Sequence, residues 1–285
     1  MKRPIIFAVI VALIASLGSA QTKFSFQLGG GMNYSSGGDL ARGLRGQSDY
    51  LADEYQVSGR YDVPLWGFNF SGEFLYHLNS RFALGLGIGY FEQMKESQIS
   101  YTYGFVDVIE KVSPKYAVIP ITANVHYYLP LGQSLRLDLS AGAGYYLARM
   151  NYEYRQDLSL LGYNGNDVYT FQASKGGLGL QGGVGLELIL SPRLALALNV
   201  LGRYASISGF SGDWTEKGGG DFWDFDESGS GEKFWYYEWN YNSKTYAQLA
   251  FQEEIPSGST VKNARPAKLE VLGFSVLLSI KVGLF

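Results

Sequence analysis

The sequence predicts an all-β fold, an eight-stranded antiparallel up-and-down transmembrane β-barrel. Three observations predict it. Apolar residues alternate with small or polar residues in eight segments, short connections alternate with long ones, and aromatic residues gather near both ends of the segments. A period of two is the period of a strand, and strands cross a membrane only where they close into a barrel.

The last predicted strand, residues 268–285, shows the pattern most fully. Its even positions from Leu272 to Leu284 are all apolar, whereas its odd positions include two glycines, two serines and Lys281. A tilted strand needs about 9–11 residues to cross a bilayer, and each segment has about that length. The other seven predicted strands are 23–34, 66–78, 81–91, 116–129, 135–148, 177–189 and 193–204.

The connections between these strands alternate strictly in length. Short turns lie at 79–80, 130–134 and 190–192. Outer-membrane barrels have short periplasmic turns and long extracellular loops, so we expect both termini on the periplasmic side. The predicted extracellular loops are 35–65, 92–115, 149–176 and 205–267.

Some of the long loops also contain strand patterns. We expect extensions or hairpins that pair 97–103 with 106–112 and 150–154 with 168–171. Residues 232–251 alternate well enough for a further hairpin that turns at Asn242 and Ser243. If that hairpin joined the wall, the barrel would have ten strands.

The N-terminus has the pattern of a secretory signal. Lys2 and Arg3 precede an apolar run over 5–17 and then a small-residue cleavage site. We therefore predict a signal peptide at 1–20 and a barrel domain at 21–285. Removal of Lys2 and Arg3 changes the net charge from −3 to −5. This charge excludes a broad basic surface, and nucleic acid is not an expected partner.

Three segments carry a family resemblance: 82–90 (FALGLGIGY), 119–129 (IPITANVHYYL) and 279–285 (SIKVGLF). They resemble the small eight-stranded outer-membrane β-barrel family, the OmpA/OmpX-type barrels. The resemblance implies a monomer in the outer membrane of a Gram-negative-type cell, in contact with outer-membrane lipid and lipopolysaccharide. One departure is Phe285, which falls on the face of Lys281, whereas family barrels keep the terminal aromatic residue among the lipid-facing residues.

A soluble secreted sandwich or lipocalin-like barrel is the alternative fold, because its strands also alternate. The second face of such strands is solvated and rich in lysine, glutamate and threonine. Here that face is mostly glycine, alanine, serine and asparagine. Small residues suit the crowded interior of a narrow barrel, so the sequence favours the membrane fold.

The predicted inward faces carry charged residues of both signs, and we expect opposite charges at similar depth to pair. Two interpretations remain open: a structural plug, or a narrow ion path whose selectivity these charges set. Eight strands leave little space beyond the side chains, which favours the plug. The predicted lumen charge network is Glu73, His126, Arg136, Asp138, Glu187, Arg203 and Lys281.

No catalytic site, metal site or cofactor is predicted. His77 and His126 lie near the turn ends of their strands and face inward, away from lipid. The acidic stretch around Asp224 lacks the spacing and the terminal glutamate of a calcium loop. We therefore do not expect an enzyme.

The last long loop contains four of the five tryptophans. Exposed aromatic residues make a good contact surface for an extracellular protein, glycan or small molecule, although they could instead pack together as a cap. The candidate binding surface is Trp214, Trp223, Trp235, Tyr237, Trp239 and Tyr241. The sequence thus predicts a structural anchor and surface-interaction protein, and a narrow porin-like channel is the alternative.

Overall fold

The computed structural model describes residues 23–160, 163–221 and 223–284, so the predicted signal peptide and Phe285 lie outside the described residues. These described residues form fifteen strands and one helix. In order they are β1 (Phe24–Ser35), α1 (Asp39–Glu54), β2 (Ser58–Arg60), β3 (Trp66–His77), β4 (Phe82–Met94), β5 (Ser97–Tyr103), β6 (Val106–Pro130), β7 (Leu135–Leu160), β8 (Tyr163–Ser191), β9 (Leu194–Ser208), β10 (Ser211–Gly220), β11 (Trp223–Tyr241), β12 (Lys244–Gln252), β13 (Val261–Pro266), β14 (Lys268–Glu270) and β15 (Gly273–Gly283).

Eight strands pair in a closed antiparallel ring, in the order β1, β3, β4, β6, β7, β8, β9 and β15. The ring closes where β15 pairs with β1, from Ser25 opposite Gly283 to Ser35 opposite Gly273. These are the eight strands that the sequence predicts. Strands β10 to β12 do not join the ring, so ten wall strands are excluded within the described residues.

Side chains alternate strictly across the wall of the ring. Outward-facing apolar residues are exposed: Phe68 is 71% exposed, Leu86 68% and Leu178 80%. Inward-facing neighbours such as Asn69 and Glu187 are fully buried. A continuous apolar exterior around a polar interior is the arrangement of a membrane barrel and is the reverse of a soluble one. No helix in the described part of the chain is long and apolar enough to cross a membrane.

Three wall strands continue far beyond the ring. Strands β6, β7 and β8 have 25, 26 and 29 residues. About 10 residues cross a bilayer, so the three strands retain roughly 50–65 Å of further length at about 3.4 Å per residue. On one side β5 pairs with the loop-end half of β6, and on the other side β10 pairs with the loop-end half of β8. Strand β11 then pairs with β10. We call this sheet, formed by 106–118, 148–160, 163–177, β5, β10 and β11, the projecting sheet.

The long connections are therefore mostly regular structure rather than open loops. Strand β5 pairs with β6 from Ser97 opposite Val112, as predicted. The predicted hairpin of the last connection is also present as β11 and β12. Asn242 and Ser243 both have positive φ angles, as a two-residue type I′ turn requires. The predicted strand 268–285 is interrupted, because β14 ends at Glu270 before β15 begins.

The sequence predicts a loop over 35–65, whereas the structure contains helix α1 in this segment. Its sequence contains Gly43 and Gly46, each of which costs about 1 kcal/mol relative to alanine in a helix interior. Tertiary packing accounts for both glycines. A Cβ at Gly43 would collide with the side chain of Leu249, and one at Gly46 with the backbone of Ala247 in β12. The helix thus forms because it packs closely against the last connection.

A buried ionic clamp holds the start of α1. The Asp39 side chain is almost fully buried and accepts hydrogen bonds from both terminal nitrogens of Arg265, one of them over 2.9 Å. The backbone N–H of Lys268 also donates to Asp39 over 2.9 Å. A bidentate arginine–carboxylate pair fixes orientation as well as distance. The clamp therefore ties the first long connection to the last one.

A single apolar core fills the loop end of the molecule. The helix contributes Leu40, Leu44 and Leu51, which are nearly fully buried. They pack with inward residues of the projecting sheet and of the last connection, and we call the set the upper core. Its other members are Tyr61, Phe91, Ile99, Val112, Tyr116, Val118, Tyr146, Ala148, Met150, Tyr152, Phe171, Ala173, Ala205, Ile207, Phe210, Phe234, Tyr236, Ala267, Leu269 and Val271.

We predict that Gly46→Ala loosens the helix from β12 even though alanine is the better helix former. The added methyl must displace the Ala247 backbone, and overpacking of this kind costs about 1–3 kcal/mol. Limited proteolysis should then cut within 36–57 faster than in the parent protein. Gly132→Ala is the matched control, because a Cβ there meets nothing within 4 Å. Equal cleavage rates in both variants would contradict the close packing of α1.

Candidate functional site

At the turn end of the ring, Glu187 lies at the centre of a buried ion cluster. Lys281 Nζ donates to Glu187 Oε1 over 2.8 Å and to the Tyr128 hydroxyl over 2.7 Å. The Arg136 Nε donates to the other Glu187 oxygen. The Arg136 guanidinium also lies 4.4 Å from the centre of the Tyr128 ring. Ion pairs thus join two cations and one carboxylate from three different strands.

A second cluster forms around His126 in the middle of the ring. Its Nδ1 lies 3.0 Å from Asp138 Oδ2, and its Nε2 lies 3.1 Å from Glu73 Oε1. Asn124 donates to the same Glu73 oxygen over 2.6 Å, and Gln181 donates to Asn124 over 2.8 Å. The interior is therefore bridged by side chains of four wall strands.

Arg203 is the one predicted lumen charge that the structure keeps apart. It is buried and donates to Ser275 over 2.6 Å and to Asn33 over 3.3 Å. Within the described residues it forms no ion pair. Its guanidinium lies 5.3 Å from the centre of the Phe91 ring, where the polar interior meets the upper core. The structure thus brings six of the seven predicted charges into two clusters and leaves the seventh at the boundary.

Little free space remains in the ring. A cavity of about 70 Å³ is lined by residues of the His126 cluster and by Arg203. Beyond Arg203 the interior is filled by Phe91, Tyr116 and Tyr146, all fully buried. At the turn end, an opening of about 530 Å³ leads only as far as Arg136 and Lys281. The interior of the ring is therefore largely filled by side chains.

A buried carboxylate also organises the projecting sheet. Glu110 accepts hydrogen bonds from the hydroxyls of Tyr61 and Tyr101, the latter over 2.7 Å. Burial, together with the Glu110 charge, raises the pKa values of Tyr61 and Tyr101 well above their usual range. Both phenols therefore remain protonated donors at neutral pH. Through these hydrogen bonds, Tyr61 attaches the segment that follows α1 to β6, and Tyr101 attaches β5 to β6.

Most of the predicted aromatic binding residues are used in packing. Trp235 is buried, and its ring N–H donates to the carbonyl of Gln252 over 3.0 Å. Trp239 and Tyr241 stack at 5.0 Å, and both contact Tyr50 of α1. These residues attach the helix to the last hairpin.

The remaining members of the predicted binding surface are less buried. Trp214 stacks on Tyr169 at 6.3 Å and packs against the upper core, and Tyr237 is half-buried. Trp223 is 40% exposed and begins β11 at the far end of the projecting sheet. Of the six predicted residues, Trp223 is therefore the one best placed to meet a partner.

Sequence reasoning missed another exposed apolar group at the same far end. The ends of β5 and β6, of β7 and β8, and of β10 and β11 lie side by side, because these strands are neighbours in one sheet. Phe105 is 85% exposed and Tyr103 63%. We call the exposed residues at these strand ends the crest: Tyr103, Phe105, Leu160, Tyr163 and Trp223. Their common signal in the sequence is a large apolar residue beside a hairpin turn.

The family of the chain follows from comparison with known proteins. Residues 5–251 match the outer membrane protein beta-barrel domain family, so the chain belongs to that family. The match ends before β15, the strand that closes the ring. A comparison with curated protein sequences finds no match to this chain. Membership supports an outer-membrane location and agrees with the apolar exterior of the ring.

We predict that Glu187 and Lys281 are strongly coupled. Removing one partner of a buried ion pair costs about 3–5 kcal/mol, because the other charge is left uncompensated. Glu187→Gln and Lys281→Met should each lower the free energy of unfolding in lipid vesicles. The double variant should be less destabilised than the sum of the two single changes by at least ~1 kcal/mol. Additive losses would contradict the ion cluster.

Proposed function

We propose that this protein is a monomeric, eight-stranded transmembrane β-barrel of the outer membrane, exported by its N-terminal signal, whose projecting sheet is a surface-interaction module. The barrel acts as the anchor, and the crest is the contact surface for an extracellular partner. The proposal includes no catalytic role. His126 is held between two carboxylates, and His77 lies 2.8 Å from the Ser25 hydroxyl inside the ring.

The observation that carries this proposal is the continuity of β6, β7 and β8. Each strand runs without a break from the apolar exterior of the ring into the projecting sheet. The contacts of α1 and the upper core then make this part a folded body rather than a set of mobile loops. A rigid surface loses less conformational entropy on binding than flexible loops do, which favours recognition.

The channel alternative has less support. The two ion clusters cross the interior, and the upper core fills the space above them. An ion would have to displace paired charges and then enter an apolar region, and both steps are costly. The lumen charge network is therefore better explained as a plug that stabilises a narrow barrel.

The crest is tested by removing its two most exposed aromatic residues. We predict that Tyr103→Ser combined with Phe105→Ser weakens binding of the purified protein to an array of immobilised glycans and extracellular-matrix proteins. Aromatic anchors at contact surfaces are worth about 2 kcal/mol or more, so the loss should exceed tenfold. Leu131→Ser is the matched control, because Leu131 is 57% exposed in a turn at the opposite end.

Two further measurements show which part of the proposal fails if binding is unchanged. The chain has no cysteine, so Ser159→Cys and Ser80→Cys each provide a single label site. On intact cells a membrane-impermeant maleimide should label Ser159→Cys alone. Labelling of Ser80→Cys alone would reverse the proposed orientation. Discrete conductance steps in a planar bilayer that change with Arg136→Ala would support the channel instead.

A further inference from the structure

A groove on the outer surface lies where the apolar exterior of the ring ends. It has a volume of about 750 Å³ and crosses β4, β6, β7 and β8. Ile119 and Leu147 face each other at its lower edge and are 38% and 43% exposed. Two residues further along the same strands, Ala117 lies opposite Arg149. The outward face thus changes from apolar to basic within about 7 Å.

Three cations line this groove. Lys115 pairs with Glu92 over 2.9 Å, and Glu92 also accepts a hydrogen bond from Tyr90. Arg149 and Lys175 form no ion pair within the described part of the chain. The groove therefore has an excess of two positive charges, although the whole chain has a net charge of −3.

Small and polar residues keep the groove open between the cations. Ala117 and Ser174 flank Arg149 on the two neighbouring strands. Next to them Gly176 has no side chain, and the ring of Tyr145 lies across it. Asn151 and Gln172 line the upper part and add amide donors. A planar guanidinium, an ammonium and amide donors around an open space are the groups that bind a phosphate.

We propose that this groove binds the phosphate-bearing headgroup of an outer-leaflet glycolipid. The inference rests on the membrane placement in the proposed function, because that placement puts the groove at the level of lipid headgroups. Arg149 and Lys175 contact the phosphate. The acyl chains lie along the exposed apolar side chains below, which include Ile119, Leu147 and Leu178. Basic pockets at the membrane surface bind anionic headgroups in this way.

The test measures lipid binding to the whole barrel in phosphatidylcholine nanodiscs. The ligand is a diphosphorylated lipid A, and its dephosphorylated form is the comparison. We expect the parent protein to retain the phosphorylated form preferentially in native mass spectrometry. Replacing both Arg149 and Lys175 by glutamine should weaken this retention by about thirtyfold, since each cation near a charged membrane surface contributes about 1 kcal/mol and about 1.4 kcal/mol corresponds to a factor of ten.

The control variant replaces Arg155 and Lys217 by glutamine, which removes the same two kinds of cation from exposed positions higher on the projecting sheet. It should bind lipid as the parent does. If both variants lose lipid retention equally, the proposed binding site in the groove is wrong, and the binding reflects only general charge attraction. Competition by millimolar inorganic phosphate would also overturn it, because the site would then take free phosphate.

The outcome separates this inference from the proposed function. Insertion of the parent protein into nanodiscs is measured by the heat-dependent shift of the protein in gel electrophoresis. If the parent protein inserts but binds both forms of lipid A equally, lipid binding in the groove is contradicted and the proposed function is not. A parent that folds without inserting contradicts the transmembrane barrel and, with it, the groove.

Discussion

Backbone hydrogen bonding around the closed ring is the constraint on which the rest of the structure depends. A strand edge in hydrocarbon leaves N–H and C=O groups unpaired at several kcal/mol each, so the first and last wall strands must meet. Strand β15 meets β1 over eleven residue pairs from Ser25 to Ser35. Closure fixes which side of each strand faces inward, and a shift of one residue would exchange the two faces. The polar interior and the apolar exterior are consequences of that one register.

The interior has two parts with opposite chemistry. Inside the ring the side chains are mostly polar, and the charged ones below Arg203 form the two ion clusters. Arg203 marks the upper limit of this region. Beyond it the upper core is apolar and contains α1. This division follows from the different surroundings of the two parts. The ring is already surrounded by apolar side chains, whereas the projecting sheet in water needs a buried apolar core of its own. The folded loop end is thus an independent contribution to stability as well as the surface we propose for interaction.

The sequence predicted the wall strands well because a period of two is a local signal, repeated in every strand. It also placed the lumen charges on the inward face, since the face follows from the alternation. The partners of Glu187 or His126 depend on the relative depth of different strands, which the alternation fixes only approximately. The helix α1 was missed because Gly43 and Gly46 have low helix propensity. These glycines allow the helix to pack closely against β12, which lies about 200 residues further along the chain.

The aromatic residues of the last connection show the same limit. Their abundance in the sequence is compatible with both a binding surface and a packed cap. The contact of Trp239 with Tyr50 depends on α1, which the local sequence pattern does not predict. The burial of Trp235 likewise depends on tertiary packing. Exposure at the crest likewise depends on the ends of three separate strand pairs lying side by side in one sheet. Such surfaces are determined by tertiary structure and not by any one segment.

Hydrogen–deuterium exchange of the protein in nanodiscs tests the central claim most directly, namely that one continuous sheet forms both a closed ring and a folded body above it. We predict slow exchange in β1 and β15 as well as in β7, because all three are paired on both sides. We also predict slow exchange in the loop-end halves of β6 to β8 and in α1. Fast exchange in β1 and β15 would show an open ring. Fast exchange in 106–118, 148–160, 163–177 and α1 would show that the loop end is not a folded body.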